Sequence, residues 1–397
     1  MAKKENLKVV GVLGCGAMGS GIAQVAATAG HEVIVFDANK ESVKKAKENI
    51  HKFLNRAVEK NKLTRATADN AFANLKFARS LNAYKDCDII IEAIVEDINI
   101  KQEVFQSLES IVGEHCILAS NTSSLSIASI ASACNNSSRV IGIHFFNPAV
   151  LLPLVEIIPS LLTSENTLKI SKDLIDSWGK ITVIAKDTPG FIVNRVARPF
   201  YGEAIKMYEE GFANIATIDW AMKELGGFKM GPFELMDFIG NDINYKVTET
   251  VFAQMFYDPR YKPSITQKRL YEAKLFGRKV GRGYYDYDVQ SNNSEAIKDE
   301  EIGRGIFKRI LYMLINEAAD ALFLNIANLE DLEVAMTKGV NYPKGLLNWA
   351  DEIGIDKVLK GMEELQKEYG EDRYRPSPLL KRMARNNNTF ASLGNKN

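Results

Sequence analysis

The stretch Val9-Val10-Gly11-Val12-Leu13-Gly14-Cys15-Gly16-Ala17-Met18-Gly19-Ser20-Gly21-Ile22-Ala23, followed by Val33-Ile34-Val35-Phe36-Asp37, decides the fold. A short apolar run ends in glycines spaced G-x-G-x-x-G. An amphipathic helix carrying Ile22, Ala23, Val25 and Ala26 comes next, stops at Gly30, and gives way to a second apolar run. Strand, glycine turn, helix and strand in this order open a doubly wound parallel sheet.

The glycines have separate tasks. Gly14 permits the tight turn, Gly16 lets a pyrophosphate approach the backbone, and Gly19 lets helix and strand pack closely. Unpaired N–H groups and the positive end of the helix dipole favour the phosphates. Asp37, about 20 residues past the glycines, is placed to accept hydrogen bonds from the adenine ribose hydroxyls. It would repel a 2′-phosphate, and Ala38-Asn39 offers no arginine, so the expected cofactor is NAD and not NADP.

Outward from this unit, apolar runs alternate with helical patterns from Leu7 to about Asp187. Strands are expected at Lys8–Leu13, Glu32–Phe36, Leu75–Phe77, Cys87–Ala93, Cys116–Ala119, Val140–Phe145, Leu154–Ile158 and Thr182–Ala185, with helices near 17–29, 40–60, 99–112 and 165–178. The ligand of such a sheet sits beyond the carboxyl ends of the strands.

At 397 residues the chain is too long for one ordinary domain. Fifty basic residues balance fifty acidic ones, which gives no general attraction to nucleic acid or anionic membrane. Met1-Ala2-Lys3-Lys4-Glu5-Asn6 lacks the apolar stretch of a signal peptide, and no run reaches 18 apolar residues, so a cytoplasmic protein is expected. Cys15, Cys87, Cys116 and Cys134 form no C-x-x-C pair and read as reduced, buried side chains; no metal site is assigned.

Removing a hydride from an alcohol needs a base for the hydroxyl proton, and histidine suits neutral pH. Of four histidines, His31, His51 and His115 read as surface residues. His144 differs, because it closes the apolar run Val140-Ile141-Gly142-Ile143 at a strand's carboxyl end. Twelve residues later Glu156 sits inside the apolar run Leu154-Val155-Glu156-Ile157-Ile158 and needs a partner. Pairing with His144 would fix the ring tautomer and stabilise the imidazolium; the alternative is an exposed strand face for Glu156. Ser123 also reads as a helix N-cap, and Asn194 as a helix-surface amide.

Several motifs together resemble the L-3-hydroxyacyl-CoA dehydrogenases: Gly14 to Ala23, Glu92-Ala93-Ile94-Val95-Glu96, Ser120-Asn121-Thr122-Ser123-Ser124-Leu125, His144-Phe145-Phe146-Asn147-Pro148 and Asp187-Thr188-Pro189-Gly190-Phe191-Ile192-Val193-Asn194-Arg195. The likeness extends through Gly231-Pro232-Phe233-Glu234-Leu235 to Gly281-Arg282-Gly283-Tyr284-Tyr285. It implies reversible, NAD-dependent oxidation of an (S)-3-hydroxyacyl-CoA to the 3-oxoacyl-CoA, as in fatty-acid β-oxidation, aromatic degradation or butyrate-type metabolism. By the resemblance His144 is the acid/base, Glu156 orients it, and Ser123 and Asn194 bind the substrate oxygens. The cofactor set is Gly14, Gly16, Ala17, Met18, Gly19, Asp37, Glu96, Lys101, Asn121, Ser123, Asn147 and Lys279. Lys101 and Lys279 read either as phosphate bridges or as solvated lysines. Lys60, on a basic helix, matches a lysine that contacts CoA, but the family's companion serine is Phe53 here.

After Asp187 the strand signals fade. At a constant offset of 114 residues Arg195 matches Arg309, Glu203-Ala204 match Glu317-Ala318, Ala221-Met222 match Ala335-Met336, and Asp237 matches Asp351. The expected organisation is therefore an α/β Rossmann-type NAD-binding domain at 1–185, a first all-α domain at 186–290, and a related, degenerate copy at 300–397. Gln290-Ser291-Asn292-Asn293-Ser294 reads as the linker. Only the first copy is expected to complete the site, because Lys308 stands where Asn194 would repeat and the Gly281-Arg282-Gly283 tail is missing. The resemblance implies either a monomer with an internal pseudo-dimer or a homo-oligomer. Two other readings stay open: a dehydrogenase of free hydroxy or sugar acids, similar to the gulonate dehydrogenases, and a non-catalytic NAD-binding protein.

Overall fold

The structure, a computed structural model, describes residues 8–288 and 293–394, so Gln290, Ser291 and Asn292 of the expected linker lie outside the described residues. The chain divides into two compact units, Met1–Thr188 and Pro189–Asn397.

In the first unit β1 (Val9–Leu13) runs into α1 (Ala17–Thr28) and β2 (Glu32–Phe36), followed by α2 (Lys40–Glu59), α3 (Arg65–Ala73) and β3 (Leu75–Phe77). Then come β4 (Ile89–Glu92), α4 (Ile98–Ile111), β5 (Ile117–Ser120), α5 (Ile127–Ala131), β6 (Val140–Phe145), β7 (Leu154–Ile158), α6 (Glu165–Ser177) and β8 (Ile181–Ile184). The strands form one sheet in the order β3-β2-β1-β4-β5-β6-β7-β8. Its apolar core unites Val10, Val12, Val33, Val35, Ile141 and Ile143 with Ile22 and Ala26 of α1.

The sheet is not wholly parallel, contrary to the sequence expectation: β7 runs antiparallel to β6, and β8 follows β7. Only eight residues, 146–153, join β6 to β7. A parallel return requires a crossover of about a dozen residues or more, so this connection can only reverse the chain. The resulting register sets His144 opposite Glu156.

His31 is a second correction. It is buried, its Nδ1 lies 3.1 Å from the Lys8 carbonyl, and its ring packs on Trp178. Its helix-adjacent, polar surroundings suggested solvent, but the Trp178 ring at the end of α6 covers it. Ser123 does not cap a helix either; Ser126 caps α5.

The second unit is helical. Its first half holds α7 (Val193–Val196), α8 (Arg198–Glu209), α9 (Ile215–Trp220), α10 (Pro232–Ile239), α11 (Asn241–Gln254) and α12 (Ile265–Glu272). Its second half begins with the long α13 (Glu300–Phe323), followed by α14 (Leu329–Val334), α15 (Leu346–Ile353), α16 (Ile355–Tyr369) and α17 (Pro378–Arg385). The halves repeat in detail, down to a π-helical turn in each, at Ala221–Leu225 and Ala335–Gly339. Asp237 accepts the backbone N–H groups of Tyr284 and Tyr285; Asp351 accepts those of Phe390 and Ala391, so the C-terminal segment does for the second copy what the glycine-rich tail does for the first.

Equivalent charges bridge the halves reciprocally. Arg195 donates to Glu317 at 2.7 Å while Arg309 donates to Glu203 at 2.9 Å. Tyr261 adds a 2.5 Å hydrogen bond to Glu317, and Tyr374 adds one of 3.0 Å to Glu203. Each half thus supplies an arginine and a tyrosine to the other's carboxylate, the self-complementary pattern of a two-fold interface.

The halves differ where α11 and α16 end. Gly370 takes the left-handed conformation at φ +64, whereas its equivalent, Phe256, does so at φ +51 with 93% of its surface exposed. A Cβ there costs roughly 1–2 kcal/mol, against roughly 0.5–1 kcal/mol of extra unfolded-state entropy for glycine. Phe256→Gly is therefore expected to raise Tm by about 2 °C in thermal unfolding. A lowered Tm would show that the exposed ring holds the fold.

Candidate active site

The glycine loop follows from close backbone packing. Gly14 has φ +105, and a Cβ there would lie 2.5 Å from the Ala93 carbonyl oxygen. At Gly19 a Cβ would lie 2.0 Å from the Gly14 carbonyl oxygen, whereas at Gly16 it would meet nothing within 4 Å. Two glycines therefore close the turn and the middle one keeps it open. Gly16 is the N-cap of α1 and supplies no side-chain cap, and the first turn holds no acidic residue, leaving amide donors suited to a pyrophosphate. Asp37, at the end of β2, accepts the Cys15 and Asn39 N–H groups, each at 2.7 Å, which holds its carboxylate beside the loop. These residues fit NAD: an open glycine, unmet helix donors and a fixed acidic group that would repel a 2′-phosphate.

A buried charge network lies past β4. Glu92, the last residue of that strand, is fully buried and receives Lys101 Nζ at 2.6 Å, Ser120 Oγ at 2.7 Å and the Ile94 N–H at 2.7 Å. Lys101 is itself 1% exposed, which rules out a solvated lysine, and its ammonium also lies 3.5 Å from Glu96. Glu96 in turn accepts Thr122 Oγ1 at 2.5 Å, the Ser123 N–H at 2.9 Å and Ser124 Oγ at 3.2 Å. Burial alone would raise the Glu96 pKa, but the Lys101 charge and these hydrogen bonds outweigh it and hold the carboxyl below its usual range. The chain of contacts from Glu92 through Lys101 and Glu96 therefore shapes the turn bearing Ser123. Sequence reading assigned Glu92, Ser120, Thr122 and Ser124 no role. For Glu92 the signal was present, a carboxylate closing the apolar run Ile89-Ile90-Ile91, the same reasoning that singled out Glu156.

His144 and Glu156 face each other across β6 and β7, with Nδ1 2.7 Å from Oε2. Glu156 is fully buried and His144 is 6% exposed, so the exposed-strand alternative for Glu156 is excluded. A carboxylate at Nδ1 selects the tautomer protonated there and leaves Nε2 as the basic nitrogen. Phe146 packs against the imidazole, with ring centroids 4.6 Å apart. The connection after β6 is anchored by Lys180, whose ammonium donates to the Ala149 and Leu152 carbonyls at 2.5 and 2.9 Å and is pushed down to about 8 by burial. Asn121 ties the end of β5 to β6 by accepting the Phe145 N–H at 2.8 Å, and Asn147 is exposed on the β6–β7 connection.

Lys60 is exposed at the end of α2, with Phe53 52% exposed on the same helix. In the second unit Asn194 lies on α7, and Lys279 is ion-paired to Asp242 at 2.5 Å.

Comparison with known proteins assigns each part of the chain. The model of the 3-hydroxyacyl-CoA dehydrogenase NAD binding domain matches residues 9–188, and that of the C-terminal domain of the same enzymes matches 190–287 and again 306–395. The chain is 34% identical to 3-hydroxyadipyl-CoA dehydrogenase of Escherichia coli K12 across 96% of its own length and 98% of that protein's. It is 40% identical to mitochondrial hydroxyacyl-coenzyme A dehydrogenase of Sus scrofa, over 72% of this chain and 93% of that one. A crystal structure of 3-hydroxybutyryl-CoA dehydrogenase from Escherichia coli K12 superposes with a TM-score of 0.89 at 33% identity, covering 96% of this chain and 98% of that one.

Proposed function

The chain belongs to the 3-hydroxyacyl-CoA dehydrogenase family and catalyses NAD-dependent oxidation of 3-hydroxyacyl-CoA, and we propose that the His144–Glu156 pair is its acid/base centre. The observation that carries this role is the 2.7 Å contact between a buried carboxylate and Nδ1 of a histidine at a strand's carboxyl end. NAD, when bound, takes up the hydride leaving C3 of the substrate. His144 Nε2 accepts the hydroxyl proton as the C3–O bond becomes a carbonyl, and Glu156 stabilises the imidazolium that forms. In the reverse direction the imidazolium returns that proton to the 3-oxo group.

Gly14, Gly16, Ala17, Met18, Gly19 and Asp37 hold the pyrophosphate and adenine ribose, and Glu96, Asn121, Ser123, Asn147 and Lys279 complete the cofactor set. Lys101 acts through Glu96, because its ammonium is occupied inside the protein. Ser123 and Asn194 bind the substrate oxygens, and Lys60 contacts CoA. His144→Ala is expected to lower kcat by at least ~10²-fold while NADH binding, read by fluorescence titration, stays unchanged. Near-normal turnover would remove His144 from this role.

The domain assignment is 1–185 for the cofactor, 186–290 to complete the site, and 300–397 as a degenerate copy. The reciprocal pairs Arg195–Glu317 and Arg309–Glu203 support a pseudo-dimer within one chain. Sedimentation velocity of the full chain is expected to show one chain per particle; a stable dimer would contradict this. Among the described residues no helix is long and apolar enough to cross a membrane. The cytoplasmic placement is carried over from the sequence reading; the four cysteines are buried and unpaired.

A further inference from the structure

Buried arginines in this protein come with carboxylates. Arg139 pairs with Glu109, Arg195 with Glu317 and Asp320, Arg309 with Glu203 and Glu210, and Arg373 with Glu203. Arg198, the first residue of α8, is the exception. It is 7% exposed, and its one hydrogen bond among the described residues runs from Nη1 to Thr248 Oγ1 at 3.1 Å. Its Nε is buried with no hydrogen-bond partner. The edge of the guanidinium formed by Nε and Nη2 is the one that grips a carboxylate through two parallel hydrogen bonds, and here it is unmatched by the protein. A buried cation left this way is costly unless an anion meets it.

Three further observations locate and qualify this group. The guanidinium stacks 5.0 Å from the centroid of the Tyr201 ring, which fixes its plane. The Tyr342 hydroxyl, within electrostatic reach of Arg198, is also buried without a hydrogen-bond partner. The residue equivalent to Arg198 in the second copy is Tyr312, so the repeat architecture does not itself require an arginine here. The cation occurs only in the copy that carries Asn194, four residues earlier on the short helix α7 that directly precedes α8.

We propose that Arg198 is the receptor for a carboxylate at the far end of the acyl chain, so that the preferred substrates are 3-hydroxyacyl-CoA thioesters of short dicarboxylic acids. This rests on the dehydrogenase reading above and on the placement of Asn194 at the substrate. A methyl-ended chain would leave the Nε–Nη2 edge unmet, whereas a carboxylate-ended chain satisfies both donors and neutralises the charge.

The test compares kcat/KM with NAD for (S)-3-hydroxyadipyl-CoA and (S)-3-hydroxyhexanoyl-CoA, which share the CoA moiety and chain length and differ at the terminal group. The full-length protein is expected to favour the carboxylate-ended substrate by at least ~10-fold, mainly through KM. In Arg198→Met the ratio is expected to fall towards one, and Arg198→Lys to keep part of it. A wild-type ratio of one or below overturns the proposal, whether or not the variants fold. A ratio unchanged in folded Arg198→Met also overturns it, and an equal loss on both substrates assigns Arg198 to the fold or to CoA phosphates. Absence of NAD-dependent turnover on both thioesters would instead overturn the dehydrogenase reading beneath it.

Discussion

The eight residues between β6 and β7 are the constraint on which the site depends. Too short for a crossover, they reverse the chain and pair the two strands antiparallel. Residues directly opposite in such a ladder project their side chains to the same face at close range. His144 and Glu156 occupy opposite positions, so the hydrogen bond between them follows from the length of a loop and the register of two apolar strands. The surrounding strand residues, all buried, exclude water from the carboxylate and make the imidazole its partner.

The same economy governs the other charges. Glu92, Lys101 and Glu96 form an internal relay whose visible product is the shape of the Ser123 turn, and neither Glu92 nor Lys101 reaches solvent. In the second unit carboxylates meet arginines of the opposite repeat, so a duplicated sequence becomes one body through contacts that each copy makes twice. Against that background the unmatched edge of Arg198 stands out as a cation the fold does not neutralise.

Much of this was legible in the chain. The glycine spacing, Gly30 and Asp37 gave the first βαβ unit, and β2, β3, β6 and β7 have the bounds that their apolar runs suggested. Helices α3 and α5 were not expected. Arg65–Ala73 has Phe72 as its one large apolar side chain, and Ile127–Ala131 is a short turn with too few residues to show periodicity. The reversed direction of β7 was also missed, because periodicity carries no information on strand direction; the loop length does. The surface reading of His31 and the solvated alternative for Lys101 failed for a common reason. Residue type sets a prior for exposure, while a covering Trp178 ring or a buried Glu92 lies far away in sequence and appears only on folding. The pairing of Glu156 was inferred correctly because a carboxylate in an apolar strand demands a partner, and the strand-end histidine was the suitable one.

The central claim is that Glu156 acts on the reaction by holding and stabilising the His144 imidazole. Steady-state kinetics of Glu156→Gln with acetoacetyl-CoA and NADH test it most directly, because the substitution preserves shape and removes charge. The account requires kcat to fall by at least ~10²-fold with NADH affinity unchanged. Wild-type kcat in a folded Glu156→Gln protein would contradict it.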